Sequence, residues 1–304
     1  MLPLISSFAS ILTLSLSFIT ATSETECQTY TKPNTTKPYE YNNTIPAYLT
    51  LPPTPSLPKA LSSGYVATDN STNIWYSFFG TPLNQSICTG TPPLLFLHGG
   101  FANANYFGLQ IKDLEDLNIT ILAIDSRGHG RSTTTDTVIN YDKMTDDVLT
   151  VLDHFSIPSV SVVGWSDGGI IGLDLAMNAS SRLDRLFAFG ASYSPSNMLS
   201  TIGDSHVFEN FLNRTYTEYE EMNPHPNYTQ FSTSMNNMWN NLPQWTGTSF
   251  AQIPTRTNGS MDAPLVWIVD GANEEAINRT TPIQMHDWVA DSGLMFLPRT
   301  SHFA

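Results

Sequence analysis

From about residue 94 to 190, and again from 265 onward, short continuous apolar runs alternate with longer stretches in which apolar residues recur every three or four positions. Continuous runs bounded by turn residues read as strands buried on both faces, and the periodic stretches read as helices. The runs are Leu94-Leu95-Phe96-Leu97, Ile119-Thr120-Ile121-Leu122-Ala123-Ile124, Ser159-Val160-Ser161-Val162-Val163, Leu186-Phe187-Ala188-Phe189-Gly190, Leu265-Val266-Trp267-Ile268-Val269-Asp270-Gly271 and Gly293-Leu294-Met295-Phe296-Leu297. Residues 142–155 place Met144, Val148, Val151, Leu152 and Phe155 on one helical stripe, and residues 168–177 are small and apolar apart from Asp174. Such alternation predicts an α/β fold with a mostly parallel sheet flanked by helices. Upstream, residues 64–68 and 74–79 read as a hairpin around the turn Asp69-Asn70-Ser71-Thr72-Asn73.

Two regions break the pattern. Residues 24–60 are rich in Pro, Thr and Asn and read as an extended leader. Residues 194–263 hold Trp239, Trp245 and several Phe, Tyr and Met, with helix candidates at 208–219 and 230–239. An insertion at this point is expected to form a lid over a site. The expected organisation is a leading apolar segment (1–23), the leader (24–60), a first core part (61–193), the lid (194–263) and a second core part (264–304). No internal repeat is visible.

Composition narrows the classes. The 304 residues are 40% hydrophobic with 16 Phe, enough for one large core with an insertion. A formal charge of −14 argues against nucleic acid or an anionic membrane surface as partner. Residues 1–23 carry no charged side chain and end in Ala21-Thr22-Ser23, the features of a secretory signal peptide. They lack a basic residue near the start, so a retained anchor is the alternative. N-x-S/T sequons stand at Asn34, Asn42, Asn70, Asn84, Asn118, Asn178, Asn213, Asn227, Asn258 and Asn278, where chance supplies about three or four. Together these features predict a secreted glycoprotein. In an oxidising compartment Cys27 and Cys88 are expected to pair; two free thiols are the alternative.

The candidate chemistry centres on Gly164-Trp165-Ser166-Asp167-Gly168, a G-x-S-x-G pattern between a predicted strand and a predicted helix. That context distinguishes a nucleophile elbow from an ordinary glycine-rich turn. Ser166 is the candidate nucleophile, and the Asp167 amide, at a helix start, faces a forming oxyanion. Serine needs a base, and the base needs a carboxylate. In a parallel sheet these groups belong on loops at the carboxyl ends of strands. His302, after the last run, is the candidate base. Glu274 is the first candidate for the acid, Asp270 the second and Glu275 the third; all three also fit solvated loop carboxylates. His98 and His129 follow other runs and read as structural, His98 bracing the loop whose Gly100 amide completes the oxyanion site.

These motifs resemble those of α/β-hydrolase-fold serine hydrolases, from about Pro93 to the last residue. The matching stretches are His98-Gly99-Gly100, Asp125-Ser126-Arg127-Gly128-His129-Gly130-Arg131-Ser132, the elbow and Ser301-His302-Phe303, in the family order of nucleophile, acid and base. The resemblance implies the α/β-hydrolase fold with a helical lid. It also implies an enzyme that hydrolyses a small carboxylic ester, thioester or lactone without metal or cofactor; with the secretion expected from the leading segment and the sequons, no stable membrane association is expected. Many relatives carry Asp where Glu274 stands, and relatives continue beyond the histidine into a helix where this sequence stops at Ala304. A truncated sequence or impaired activity is the expectation from that difference. A catalytically inactive binding protein, a peptidase and a carbon–carbon bond hydrolase are the alternative functions. The aromatic content of 194–263 fits an apolar substrate portion or packing within the insertion itself.

Overall fold

A computed structural model describes residues 50–256 and 263–303, apart from the side chains at 87–89. The leading apolar segment, most of the leader, Cys27, the side chain of Cys88 and the sequons at Asn34, Asn42 and Asn258 lie outside the described residues.

The predicted hairpin is β1 (Ser62–Ala67) and β2 (Thr72–Gly80), antiparallel with Val66 opposite Ile74. The apolar runs become β3 (Leu94–Leu97), β4 (Thr120–Ile124), β6 (Val160–Trp165), β7 (Leu183–Phe189), β8 (Leu265–Gly271) and β9 (Gly293–Leu297). Every residue of β3 and β4 is buried, as a strand covered on both faces requires. The sheet order is β1-β2-β4-β3-β6-β7-β8-β9, with a two-residue β5 (Thr133–Thr134) beside β2. All pairings from β4 to β9 along this order are parallel. β7 starts three residues before its apolar run, and Asp184 and Arg185, paired at 2.7 Å, give that start a polar face.

Helices cover the sheet: α1 (Leu83–Thr89), α2 (Gly108–Leu114), α3 (Tyr141–His154), α4 (Asp167–Asn178) and α8 (Thr280–Trp288). The Asn140 side chain caps α3 by accepting from the Lys143 amide at 2.8 Å, and Met144, Val148, Val151 and Leu152 form its buried stripe. Leu122, fully buried in β4, shows what this core is worth: truncating such a leucine to alanine costs about 2–5 kcal/mol.

Between β7 and β8 the chain leaves the sheet and forms α5 (His206–Met222), α6 (Tyr228–Asn241) and α7 (Gly247–Phe250). Ser205 and Asn227 cap the two long helices. Side chains moor this region. Arg214 donates to the carbonyls of Leu51 and Pro52, Thr54 donates to Glu218 at 2.5 Å, and Asn223 donates to the carbonyls of Gly130 and Ser132. Tyr219 and Phe231 stack at 4.8 Å between α5 and α6.

Strand order positions the site. β3 and β6 are neighbours near the middle of the sheet, so the loop after β3 lies beside the turn after β6. The loops after β8 and β9 open at the same, carboxyl, end.

Candidate active site

The turn after β6 is set by steric exclusion. A Cβ on Gly164 would fall 2.3 Å from the Gly168 carbonyl oxygen, and one on Gly168 would fall 2.0 Å from the Leu97 oxygen. Helix α4 can therefore cross over β6 and β3 only with glycine at both positions. Between them Ser166 adopts φ 54°, ψ −117°, a strained conformation for a residue with a Cβ. Its amide donates to the Phe189 carbonyl at 2.8 Å and its carbonyl accepts from Ile170 at 3.0 Å, so the corner is tied to β7 and α4.

His302 comes to this corner from the loop after β9. Its Nε2 lies 3.1 Å from Ser166 Oγ, and its Nδ1 lies 2.9 Å from Glu274 Oε1. The Nδ1 contact is short but not aligned as a hydrogen bond, a common resting state for a catalytic pair. Glu274 Oε1 also accepts the amides of Ala276 and Ile277 at 2.8 and 2.9 Å, which fixes the carboxylate. Burial pushes the Glu274 pKa up, but the charge of His302 and its close contact, with Asp270 and the Ile277 amide adding to it, outweigh that and hold the group well below the ordinary carboxylate range. Burial pulls the His302 pKa down; Glu274, Glu275 and Asp167 together outweigh it, so the net shift is upward.

The three acid candidates separate. Glu274 meets the ring. Asp270, 1% exposed, turns its Oδ1 to the Gly271 amide at 2.9 Å, and burial together with the neighbouring Glu274 charge pushes its pKa far up. Glu275 meets the histidine's main chain, with Oε2 2.9 Å from the His302 amide nitrogen.

Gly100, Ser166 and Asp167 line one cavity of about 390 Å³ with His302. There is no room for a side chain at Gly100: its Cβ would sit 2.3 Å from Trp239 and 2.5 Å from the Asp167 carboxylate. His98 braces this loop, as its position after β3 implied. Its Nε2 accepts the Ser126 amide at 2.9 Å and its Nδ1 faces the Gly99 carbonyl at 2.8 Å. Burial holds its pKa down, so a single neutral tautomer satisfies both contacts. In the turn after β4, Asp125 accepts the amides of Ala104 and Arg131, and His129 Nδ1 meets the Arg127 carbonyl.

A sequence profile described as "alpha/beta hydrolase fold" matches residues 92–287. The chain belongs to the α/β-hydrolase fold family. Among curated members, human "Serine hydrolase BPHL" is 25% identical over 204 residues, covering 64% of this chain and 67% of that protein. The "3-oxoadipate enol-lactonase 2" of Acinetobacter baylyi is 28% identical over 118 residues, 39% of this chain and 41% of that protein. YisY of Bacillus subtilis, an "AB hydrolase superfamily protein", aligns over 38% of its length at 30% identity. Two solved structures share the fold at 18% identity and a TM-score of 0.60. A hydrolase from Pseudomonas aeruginosa PA01 covers 81% of this chain and 93% of its own, and Est816, titled "an N-Acyl homoserine lactone degrading enzyme", covers 79% and 93%.

This α/β-hydrolase has site features that the pattern of residues did not reveal. The Asp167 side chain, 5% exposed, accepts from Tyr141 Oη at 2.8 Å and from Trp239 Nε1 at 2.9 Å. It thereby joins the elbow to α3 and to α6. Burial pushes its pKa up to about 6 against the opposing hydrogen bonds of Trp239 and Tyr141 and the charge of His302. An aspartate at the head of a largely apolar helix was the available signal; its partners are distant in sequence. Trp165 is the second such feature, its indole N–H donating to the His302 carbonyl at 2.7 Å. Among the described residues no group of three His, Cys, Asp or Glu is placed to hold a metal ion, and no helix is long and apolar enough to cross a membrane.

Proposed function

We propose that this chain is a serine hydrolase that cleaves small carboxylic esters, thioesters or lactones through an acyl-enzyme. The observation that carries the reading is the relay in which His302 Nε2 stands 3.1 Å from Ser166 Oγ while Nδ1 stands 2.9 Å from Glu274. His302 takes the Ser166 proton as Oγ bonds to the substrate carbonyl carbon, and Glu274 stabilises the imidazolium. The oxyanion is held by the amides of Gly100 and Asp167. As the tetrahedral species collapses, the carbon–oxygen or carbon–sulfur bond breaks and His302 gives the proton to the leaving group. Water, deprotonated by His302, then attacks the acyl carbon, and Ser166 leaves with its proton restored.

The names of the relatives support an ester or lactone carbonyl as the target, and the cavity supports a small, partly apolar substrate. Its wall includes Met198, Ile202, Phe208, Phe211 and Phe303. Other aromatics of the insertion pack on their own neighbours, as Tyr219 and Phe231 do. The helices α5 and α6 then act as the lid of the site. Export through the secretory route, with N-glycans, belongs to the same reading. Each sequon asparagine among the described residues (70, 84, 118, 178, 213, 227 and 278) is exposed, and none lines the cavity. Asn103, Asn197 and Asn223, which are buried, lie outside sequons.

The test is labelling of the purified protein by a fluorophosphonate probe, alongside p-nitrophenyl butyrate hydrolysis, for wild type and Ser166→Ala. Labelling and turnover are expected for wild type, with labelling lost and turnover reduced at least ~10³-fold in the variant. Equal behaviour of the two folded proteins refutes the enzyme reading and leaves an inactive α/β-hydrolase-fold binding protein.

A further inference from the structure

Both polar main-chain groups of His302 are taken by side chains, and each comes from a residue adjacent to another member of the relay. Trp165, directly before Ser166, donates to the His302 carbonyl at 2.7 Å. Glu275, directly after Glu274, accepts the His302 amide at 2.9 Å. The geometry points to Trp165 and Glu275 as positioning residues that hold the base by its backbone while Ser166 and Glu274 hold its ring. This rests on the serine-hydrolase reading and adds how that base is kept in place.

Downstream, the Phe303 ring packs against Phe211 at 4.8 Å, and among the described residues the loop's other main-chain hydrogen bonds lie upstream. Ala272 donates to the Leu297 carbonyl at 2.8 Å and Asn273 to the Thr300 carbonyl at 2.9 Å. Gly271 packs so closely that a Cβ there would fall 2.4 Å from the Thr300 oxygen. Past Thr300, the described hydrogen bonds to the main chain of residues 301–303 are those from Trp165 and to Glu275. An indole is a donor only and a carboxylate an acceptor only, so the His302 backbone seats in one sense and not its reverse. Trp165 is 9% exposed and His302 4% exposed, which limits the access of replacement water. With amide and carbonyl both fixed, χ1 and χ2 are the ring's remaining freedoms, and those are set by the contacts to Ser166 and Glu274. Proton transfer is steep in geometry: a misplacement of about 1 Å costs on the order of 100-fold.

Trp165→Phe keeps an aromatic ring and removes the donor. Glu275→Ala removes the acceptor, whereas Glu275→Gln keeps an acceptor and removes the charge. Each is compared with wild type in p-nitrophenyl butyrate kinetics across pH and in the rate of fluorophosphonate labelling, with circular dichroism to establish folding. Trp165→Phe and Glu275→Ala are expected to lower kcat about ten-fold or more while KM stays within about two-fold. Glu275→Gln is expected to recover most of kcat, with the acid limb of the pH profile moved to lower pH, because one negative charge beside His302 is gone. The double variant Trp165→Phe/Glu275→Ala is expected to lose less than the product of the single losses, since both hold one residue.

Wild-type kcat and pH profile in both folded single variants overturn the proposal, as does a loss explained entirely by a smaller folded fraction. If either variant fails to fold, Glu275→Gln alone decides: a large kcat loss there contradicts an acceptor role. A wild type that never reacts with the probe removes the hydrolase reading and this device with it; a reactive wild type matched by its variants removes only the device.

Discussion

Ser166 is placed by its own backbone, whereas His302 is placed by side chains that arrive from far along the chain. At the elbow, Gly164 and Gly168 let α4 press onto β6 and β3, and main-chain hydrogen bonds from the Ser166 amide to Phe189 and from the Ile170 amide to Ser166 close the corner. At the histidine loop, Trp165 and Glu275 reach across sequence separations of 137 and 27 residues. The first arrangement is stiff because backbone atoms are in contact and nothing there can yield. The second is adjustable, because it depends on rotamers and on hydrogen bonds worth about 0.5–3 kcal/mol each. A hydrolytic site needs both: a nucleophile that does not move and a base whose ring serves two proton transfers.

The largest effect is expected from attacking the stiff region. Gly168→Ala sets a Cβ 2.0 Å from the Leu97 oxygen, a backbone atom that cannot withdraw. A destabilisation of roughly 3 kcal/mol or more is expected, seen as a lower Tm or loss of soluble protein. A normal Tm in that variant would show that the helix and strand are less tightly opposed than described.

Next comes the adjustable region. Glu274→Gln is expected to lower kcat/KM by about 10²–10⁴-fold, because the imidazolium loses its stabilising charge. It also moves the pH profile. The base must be neutral, so wild-type activity rises as pH passes upward through the raised His302 pKa, above 6.5. Without the carboxylate that pKa falls, so the acid limb of the variant lies at lower pH; kcat/KM measured between about pH 5 and 9 checks the sign. If Asp270→Asn instead gives the larger loss, the acid has been misassigned.

The smallest effect concerns the seam between elbow and insertion. Asp167 has a folded pKa of about 6, raised from 3.8, so the native state holds its proton more tightly than the unfolded chain. Stability is expected to fall as pH rises from about 4 to 6 and to stay lower above it, by at most about 3 kcal/mol. Asp167→Asn keeps an acceptor for Tyr141 and Trp239 and should flatten that slope in urea melts at pH 4, 5 and 7. An unchanged slope means that the carboxyl does not titrate in this range.

The same contrast explains how much was legible in the sequence. Strands 94–97, 265–271 and 293–297 were readable to the residue, because each is a short apolar run bounded by turn residues; full burial accounts for 94–97, whereas the edge strand 293–297 is half-buried at four of its five positions. The elbow was readable because the residues its constraints demand, two glycines flanking a serine, stand within five consecutive positions between a strand and a helix. Helix α8 was not: Pro282 sits in its first turn and its buried residues, Thr281, Pro282 and Met285, make no clear stripe. Helices α1 and α2 are seven residues each, too short for periodicity to register. Glu274, Asp270 and Glu275 were readable as a set, but rotamers and the path of the histidine loop decide which carboxylate meets the ring. The partners of Asp167 and the grip on His302 join residues whose proximity only the folded sheet creates.

The left-handed backbone at Ser166 has a consequence for how such a sequence evolves. Any residue with a Cβ at φ 54°, ψ −117° carries strain of order 1–3 kcal/mol, which glycine would relieve. Drift toward greater stability therefore pushes this codon toward glycine and toward loss of the hydroxyl. A hydroxyl presented at this corner is therefore held at a cost in stability that glycine would not carry.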